Sequence, residues 1–150
     1  MPFDGIVVLE AVMDPSNDDE EAWCAEQRDN VVAYLAAQPL AHGPVGEVPA
    51  WFVSPYVSIW AIESVKSPGW VGWWAISGDL PTDYCSADNC RHPRLAMRRI
   101  AEEWMAAIEG TRPGDLTIGK LGKSLEQLPL IESRAALLLE WSDDDDIWAE

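Results

Sequence analysis

Apolar and polar positions follow two rhythms along this chain, and the changes of rhythm mark its elements. From about residue 19 to residue 37 apolar side chains recur at helical spacing. Cys24, Val31 and Leu35 share a face there, with Trp23 and Tyr34 flanking it. Asp18 or Asp19 can cap this helix, and Asp19, Glu20 and Glu21 fall in its first turn, where the helix dipole favours negative charge. Pro39 ends it, and the stretch from Ala41 to Pro49 is full of turn formers. Before the helix, residues 1–17 read as an N-terminal arm in which Ile6 to Leu9 can form a strand.

The rhythm then shifts to β-branched and aromatic runs. Tyr56 to Val65 and Trp70 to Ser77 predict two strands. Ser67-Pro68-Gly69 turns the chain between them, so the pair is antiparallel. Ala50 to Val53 predicts a short strand ahead of Ser54-Pro55. Both faces of the pair are apolar, which predicts a sheet covered on both sides, or on one side with a ligand site on the other. Gly72 leaves a gap among aromatics where another group can approach closely. Gly78 to Asn89 reads as a polar loop.

Helical spacing returns after His92. Pro93 suits a first turn, Met97, Ile100, Trp104 and Ile108 line one face, and Gly110 lies just past the end. Residues 111–123 read as loop with a short strand at Leu116 to Ile118. Ser124 and Gln127 form a capping-box pattern, Pro129 restarts the helix, and Ile131, Ala135, Leu138 and Trp141 make its buried stripe. The fold expected is α+β: a small antiparallel Trp-rich sheet packed by about three helices, as a single domain over residues 18–150.

Composition sharpens this picture. Five of the nine tryptophans lie between Trp51 and Trp74, so the sheet is either an unusually aromatic core or a stacking surface. At least three of the five are expected inside, leaving one or two for a ligand. With 26 acidic and 10 basic residues the net charge is −16, which argues against nucleic acid and anionic membranes as partners and favours a basic protein. The bases cluster: seven of the ten lie between Arg91 and Lys123. That island either pairs with the acidic first helix or tail, or holds an anion near a helix N-terminus through Arg91, Arg94, Arg98 and Arg99. No apolar run approaches the roughly 20 residues a membrane helix needs. Cys24, Cys85 and Cys90 are an odd set with no leader ahead of them, so free thiols in a reducing cytoplasm are expected.

The runs PAWFVSPYVSIWAIES (Pro49 to Ser64) and GWVGWWAISGDLPTDY (Gly69 to Tyr84), the His92-Pro93 helix opening and the ending LIESRAALLLEWSDDDDIW (Leu130 to Trp148) resemble DUF4826, a family of small bacterial proteins of unknown function. The resemblance covers most of the chain from about residue 19 and implies fold boundaries without an activity.

Candidate chemistry is sparse. Asp79 and Asp83, followed by Tyr84, can bind a cation, share a proton or grip a partner's Arg, or can simply accept backbone N–H groups in turns while Tyr84 plugs the core. Cys85, Cys90 and His92 lack the spacing of a zinc finger or ribbon, and no cofactor is implied. Trp73 and Trp74 can stack on a ligand. Trp148, after the Asp143 to Asp146 run, can anchor a basic surface or fold back. Two functions follow. The first is a non-enzymatic interaction protein that binds or inhibits a basic protein, as an immunity protein does. The second is a small-molecule binding module, or a weakly signed enzyme, with a site between the Trp sheet, Asp79, Asp83 and the Arg91–Arg99 helix. A concavity lined by Trp73 or Trp74 with Asp83 and an Arg favours the second.

Overall fold

The computed structural model describes residues 18–118, 121 and 123–148. The arm over residues 1–17, with its expected strand at Ile6 to Leu9, lies outside them. The fold is α+β, and residues 18–150, read from the sequence as a single domain, divide after Pro93 into two compact units.

The first unit is built on a four-stranded antiparallel sheet in the order β1 (Trp51–Val53), β2 (Val57–Glu63), β3 (Val71–Gly78), β4 (Leu80–Ser86). The central pair forms because its residues are almost all β-branched or aromatic. In register, Trp60 faces Ala75 and Ile62 faces Trp73. Six of the seven β2 residues are buried, so both faces of the strand are covered, as its continuous apolar run predicts. β2 also has no bare edge. β1 pairs with its first half, and the Gly43 to Gly46 segment hydrogen-bonds its second half through Gly43 N to Glu63 O and Gly46 N to Ala61 O, each at 2.9 Å.

Helix α1 (Asp18–Ala36) lies on one face of this sheet. Four acids occupy its first turn, where the dipole stabilises them. It buries Cys24, Gln27, Val31 and Leu35. Val31 and Leu35 form one cluster with Val45, Trp60, Ile62 and Ala75. Gln27 is the polar member of that stripe and has a specific role. Ser77 Oγ donates to Gln27 Oε1, Ser58 Oγ donates to the Ser77 carbonyl at 2.9 Å, and the Trp60 indole donates to Ser58 Oγ at 2.9 Å. All four residues are buried, so the chain of bonds satisfies groups that water cannot reach. Arg28 turns its guanidinium onto the Val45 and Gly46 carbonyls, both at 2.9 Å, and fixes the loop after α1.

The segment read as a polar loop, Gly78 to Asn89, is mostly strand β4, a correction to the sequence expectation. Gly78 pairs directly with Leu80, so the reversal is very tight. Gly78 sits at φ 148°, and a Cβ there would strike the Tyr56 carbonyl. β4 ends the sheet, which is why it tolerates Pro81, Thr82 and Asp83: a proline can occupy an edge, and half-buried positions need no apolar alternation.

The second unit contains α2 (Pro93–Glu109), a ribbon of β5 (Thr117–Ile118) and β6 (Lys123–Ser124), α3 (Leu128–Asp143) and the short α4 (Asp145–Trp148). α2 buries Met97, Ile100 and Trp104, as its spacing predicts. α3 buries Ile131, Ala135 and Leu138. Ser124 caps a single 3-10 turn ahead of α3 by accepting from Glu126 N, and Pro129 sits in the first turn of α3.

Replacing Gln27 with Leu keeps the size of the side chain and removes the acceptor for the buried Ser77 hydroxyl. The expected loss is about 1–3 kcal/mol in urea unfolding, the cost of leaving a buried donor unmade. A neutral effect would show that the network contributes no net stability.

Candidate functional site

The end of the sheet where β3 begins and β4 finishes holds a cleft of about 740 Å³. Each wall is a short segment held by its own hydrogen bonds. The first wall is the β2–β3 connection. Ser67 N donates to Ser64 Oγ at 2.9 Å, Trp70 N to the Ser67 carbonyl at 3.1 Å, and Ser64 N to the Trp70 carbonyl at 2.8 Å. These three bonds leave the Trp70 backbone fixed while its side chain stays 49% exposed. The floor carries Gly72, where a Cβ would lie 2.8 Å from Ser64 Cα. The close approach expected at Gly72 is therefore made by the Ser64 backbone.

The second wall follows β4. Ala87 N donates to the Gly72 carbonyl at 3.0 Å and Cys90 N to the Ala87 carbonyl at 3.0 Å. Asp88 N donates to Ser86 Oγ at 3.0 Å, and Asn89 takes a left-handed φ of 57°, a conformation Asn tolerates better than most residues. The wall is tied to the core by Trp74, whose indole donates to the Cys90 carbonyl at 2.8 Å. Trp74 is fully buried. It acts on the cleft by holding a loop, not by stacking on a ligand as its place among the candidates suggested.

Lys66 and Arg91 also line the cleft, with Asp88 as the carboxylate among its residues. Arg94 pairs with Asp145 and Arg98 with Asp143; Lys66 and Arg91 belong to neither pair. The cleft thus combines an exposed indole, a half-buried one and two cations in fixed surroundings. That is recognition chemistry: stacking, charge neutralisation and hydrogen bonding. Among the described residues no three His, Cys, Asp or Glu side chains are grouped to hold a metal ion.

A family model described as a domain of unknown function, DUF4826, matches residues 17–148. The chain belongs to the DUF4826 family. No curated protein and no solved structure matches it. The match spans both units and therefore includes the cleft. No helix among the described residues of this DUF4826 protein is long and apolar enough to cross a membrane.

The other sequence candidates are dispersed. Trp73 is in the cleft and meets Tyr84 edge-on, with centroids 5.9 Å apart at 76°. Tyr84 also packs against Tyr34 at 6.2 Å, so it closes the core edge. Asp83 accepts from its neighbour Tyr84 N at 2.8 Å and from the Tyr34 hydroxyl at 3.3 Å. It stands opposite Ile76 in mid-strand, while Asp79 lies in the β3–β4 reversal at the far end from the cleft. The Asp79–Asp83 pair is thus not gathered with Trp73 and Arg91. Arg94 donates to the Ser142 carbonyl at 2.6 Å and to Asp145 at 2.6 Å, the pairing with the tail expected as one alternative. Trp148 folds back, its indole donating to the Trp141 carbonyl at 2.9 Å.

Of the five tryptophans in the aromatic block, Trp51, Trp60 and Trp74 are buried, Trp73 is half-buried and Trp70 is exposed. The sequence missed Lys66 and Asp88 as site residues. The signal for Lys66 was present: the Ser67-Pro68-Gly69 turn places it and Trp70 on one hairpin end. Asp88 needed β4, whose register brings Ser86 opposite Trp73.

Buried Cys24 and half-buried Tyr34 predict an alkaline limit. Burial, with the charge of Glu20 adding to it, pushes the Cys24 thiol from 9.0 to about 11. Burial, then the charge and hydrogen bond of Asp83, hold the Tyr34 phenol well above its ordinary 10.0. Both folded-state values are raised, so the unfolded chain releases these protons first. Stability is intact below pH 9.0 and falls as pH rises toward 11 and beyond. Tyr34→Phe removes one of the two groups, and its urea midpoint should fall less steeply above pH 10.0 than the parent's. Identical slopes would show that Tyr34 ionises in the native state.

Proposed function

We propose that this DUF4826 protein is a binding module that seats a small molecule in the cleft between the Ser64–Trp70 connection and the Ser86–Arg91 segment. The observation that supports the reading is the pinned cleft itself. Its volume of about 740 Å³ falls in the range of small-molecule sites, roughly 300–1,000 Å³. Its walls are held by main-chain hydrogen bonds before any ligand arrives, which lowers the entropic cost of binding. Of the lining anticipated for a small-molecule site, Trp73 and an Arg (Arg91) are in the cleft; Asp83 is not, and the carboxylate there is Asp88. Three buried free thiols suit a reducing compartment, so a cytoplasmic location accompanies the reading.

One observation favours a second reading, in which an acidic surface binds or inhibits a basic protein. α1 exposes Asp18, Asp19, Glu21, Glu26 and Asp29, while its single cation, Arg28, is turned inward onto backbone carbonyls. Salt-sensitive capture of a basic protein, lost in a Glu26→Lys, Asp29→Lys variant, would favour it.

The test of the first reading is a ligand screen read by NMR on the tryptophan indole N–H signals. Hits should shift Trp70 and Trp73 and leave Trp60 and Trp104 in place. Arg91→Ala should abolish those shifts, and Trp70→Ala the shift of Trp73, with stability changed by no more than about 0.5 kcal/mol, because both replaced side chains are exposed. Hits that cluster on other surfaces would remove the cleft as the seat.

A further inference from the structure

We infer that the ligand of the cleft is an organic anion carrying a flat ring, the ring stacked on Trp70 and the acid group held by Lys66 and Arg91. The inference rests on the cleft being the binding seat and goes beyond it by assigning a chemical class.

The charge pattern carries the first half. Acids outnumber bases 26 to 10, so carboxylates are in excess over the cations that can pair with them. Arg94 and Arg98 take them, and Arg28 takes two carbonyls. Lys66 and Arg91 pair with none among the described residues, and both line the same cleft. Two uncompensated cations against one lining carboxylate, Asp88, give the cleft a local positive balance inside a molecule of charge −16. The overall negative field opposes an anion at long range. At physiological salt it is screened within about 8 Å, so binding in the cleft is decided by the cleft's own residues. The guanidinium of Arg91 presents a planar fork that matches a carboxylate or a phosphate, and Lys66 adds a mobile point charge.

Trp70 carries the second half. It is the largest of the exposed apolar side chains, at 49% exposure, and its backbone is fixed on both sides by the Ser67 and Ser64 bonds. A half-exposed indole at a cleft wall, carried on backbone that is already fixed, is a stacking platform. A neutral ring alone would leave Lys66 and Arg91 unused, and a bare anion would leave Trp70 unused. A flat ring bearing a carboxylate or phosphate engages both.

The experiment titrates full-length protein with four probes, following Trp70 and Trp73 indole signals and binding heat. AMP offers a ring with a phosphate, indole-3-acetate a ring with a carboxylate, adenosine a ring alone, and inorganic phosphate an anion alone. At least one of the first two should bind at least about tenfold more tightly than adenosine or phosphate, and which of them does so identifies the acid group. Trp70→Ala, and Lys66→Ala with Arg91→Ala, should each weaken that probe by about tenfold or more with unchanged thermal midpoints. Equal binding of adenosine and AMP at the cleft would overturn the anion assignment while the seat stands. Failure of both ring-bearing anions, alongside screen hits of neutral or cationic character that shift Trp70, would likewise overturn the class and spare the seat. No shift of Trp70 or Trp73 by any molecule would overturn the seat and the class together.

Discussion

Trp74 lies in the buried centre of the sheet, and its indole N–H is a donor that water cannot satisfy. The acceptor is the Cys90 carbonyl, 16 residues on and beyond the end of β4. That bond constrains much of the first unit. It obliges the chain, after β4, to turn back over the start of β3, and it holds the turn there. With Ala87 N on the Gly72 carbonyl, it makes one wall of the cleft a fixed object. The other wall follows from the close approach of Ser64 to Gly72, which only glycine permits. A recognition surface thus arises as a by-product of satisfying a core.

The same logic operates deeper in the sheet. A two-stranded centre apolar on both faces must be covered on both, and α1 supplies one cover. Hydrophobic burial alone leaves the depth and rotation of α1 loosely specified. The chain Gln27–Ser77–Ser58–Trp60 adds direction, because hydrogen bonds hold only in one geometry. Arg28, one residue on, anchors the following loop from the same helix. In the second unit Arg94 and Arg98 join the start of α2 to the end of α3 and the acidic run after it. These pairs are exposed, so they are worth little in stability and more in orientation.

Much of this was legible in the sequence because it rests on strong periodicity. α1, α2, α3 and the β2–β3 hairpin follow directly from apolar spacing and from Pro and Gly punctuation. β4 was not legible: on an edge strand Pro81, Thr82 and Asp83 carry no alternation, so their polarity reads as loop. Losing β4 concealed the cleft, because only its register brings Ser86 to Arg91 beside Trp73. The fate of individual tryptophans was equally hidden. When both faces of a strand are apolar, periodicity cannot say which indole is open, and Trp70 and Trp74 look alike until the turn and the Cys90 bond are known. Asp79 and Asp83 drew attention as a carboxylate pair four residues apart, yet a strand separates them along its length.

Hydrogen exchange of the Trp74 indole N–H, measured by NMR on the native protein, tests the central claim most directly. If this bond holds the cleft wall to the core, the Trp74 indole should exchange only through large-scale opening, far more slowly than the exposed Trp70 indole and as slowly as the buried Trp60 indole. Exchange of Trp74 at the rate of Trp70 would contradict the account. It would mean that the loop through Cys90 opens freely and that the cleft is not a preformed site.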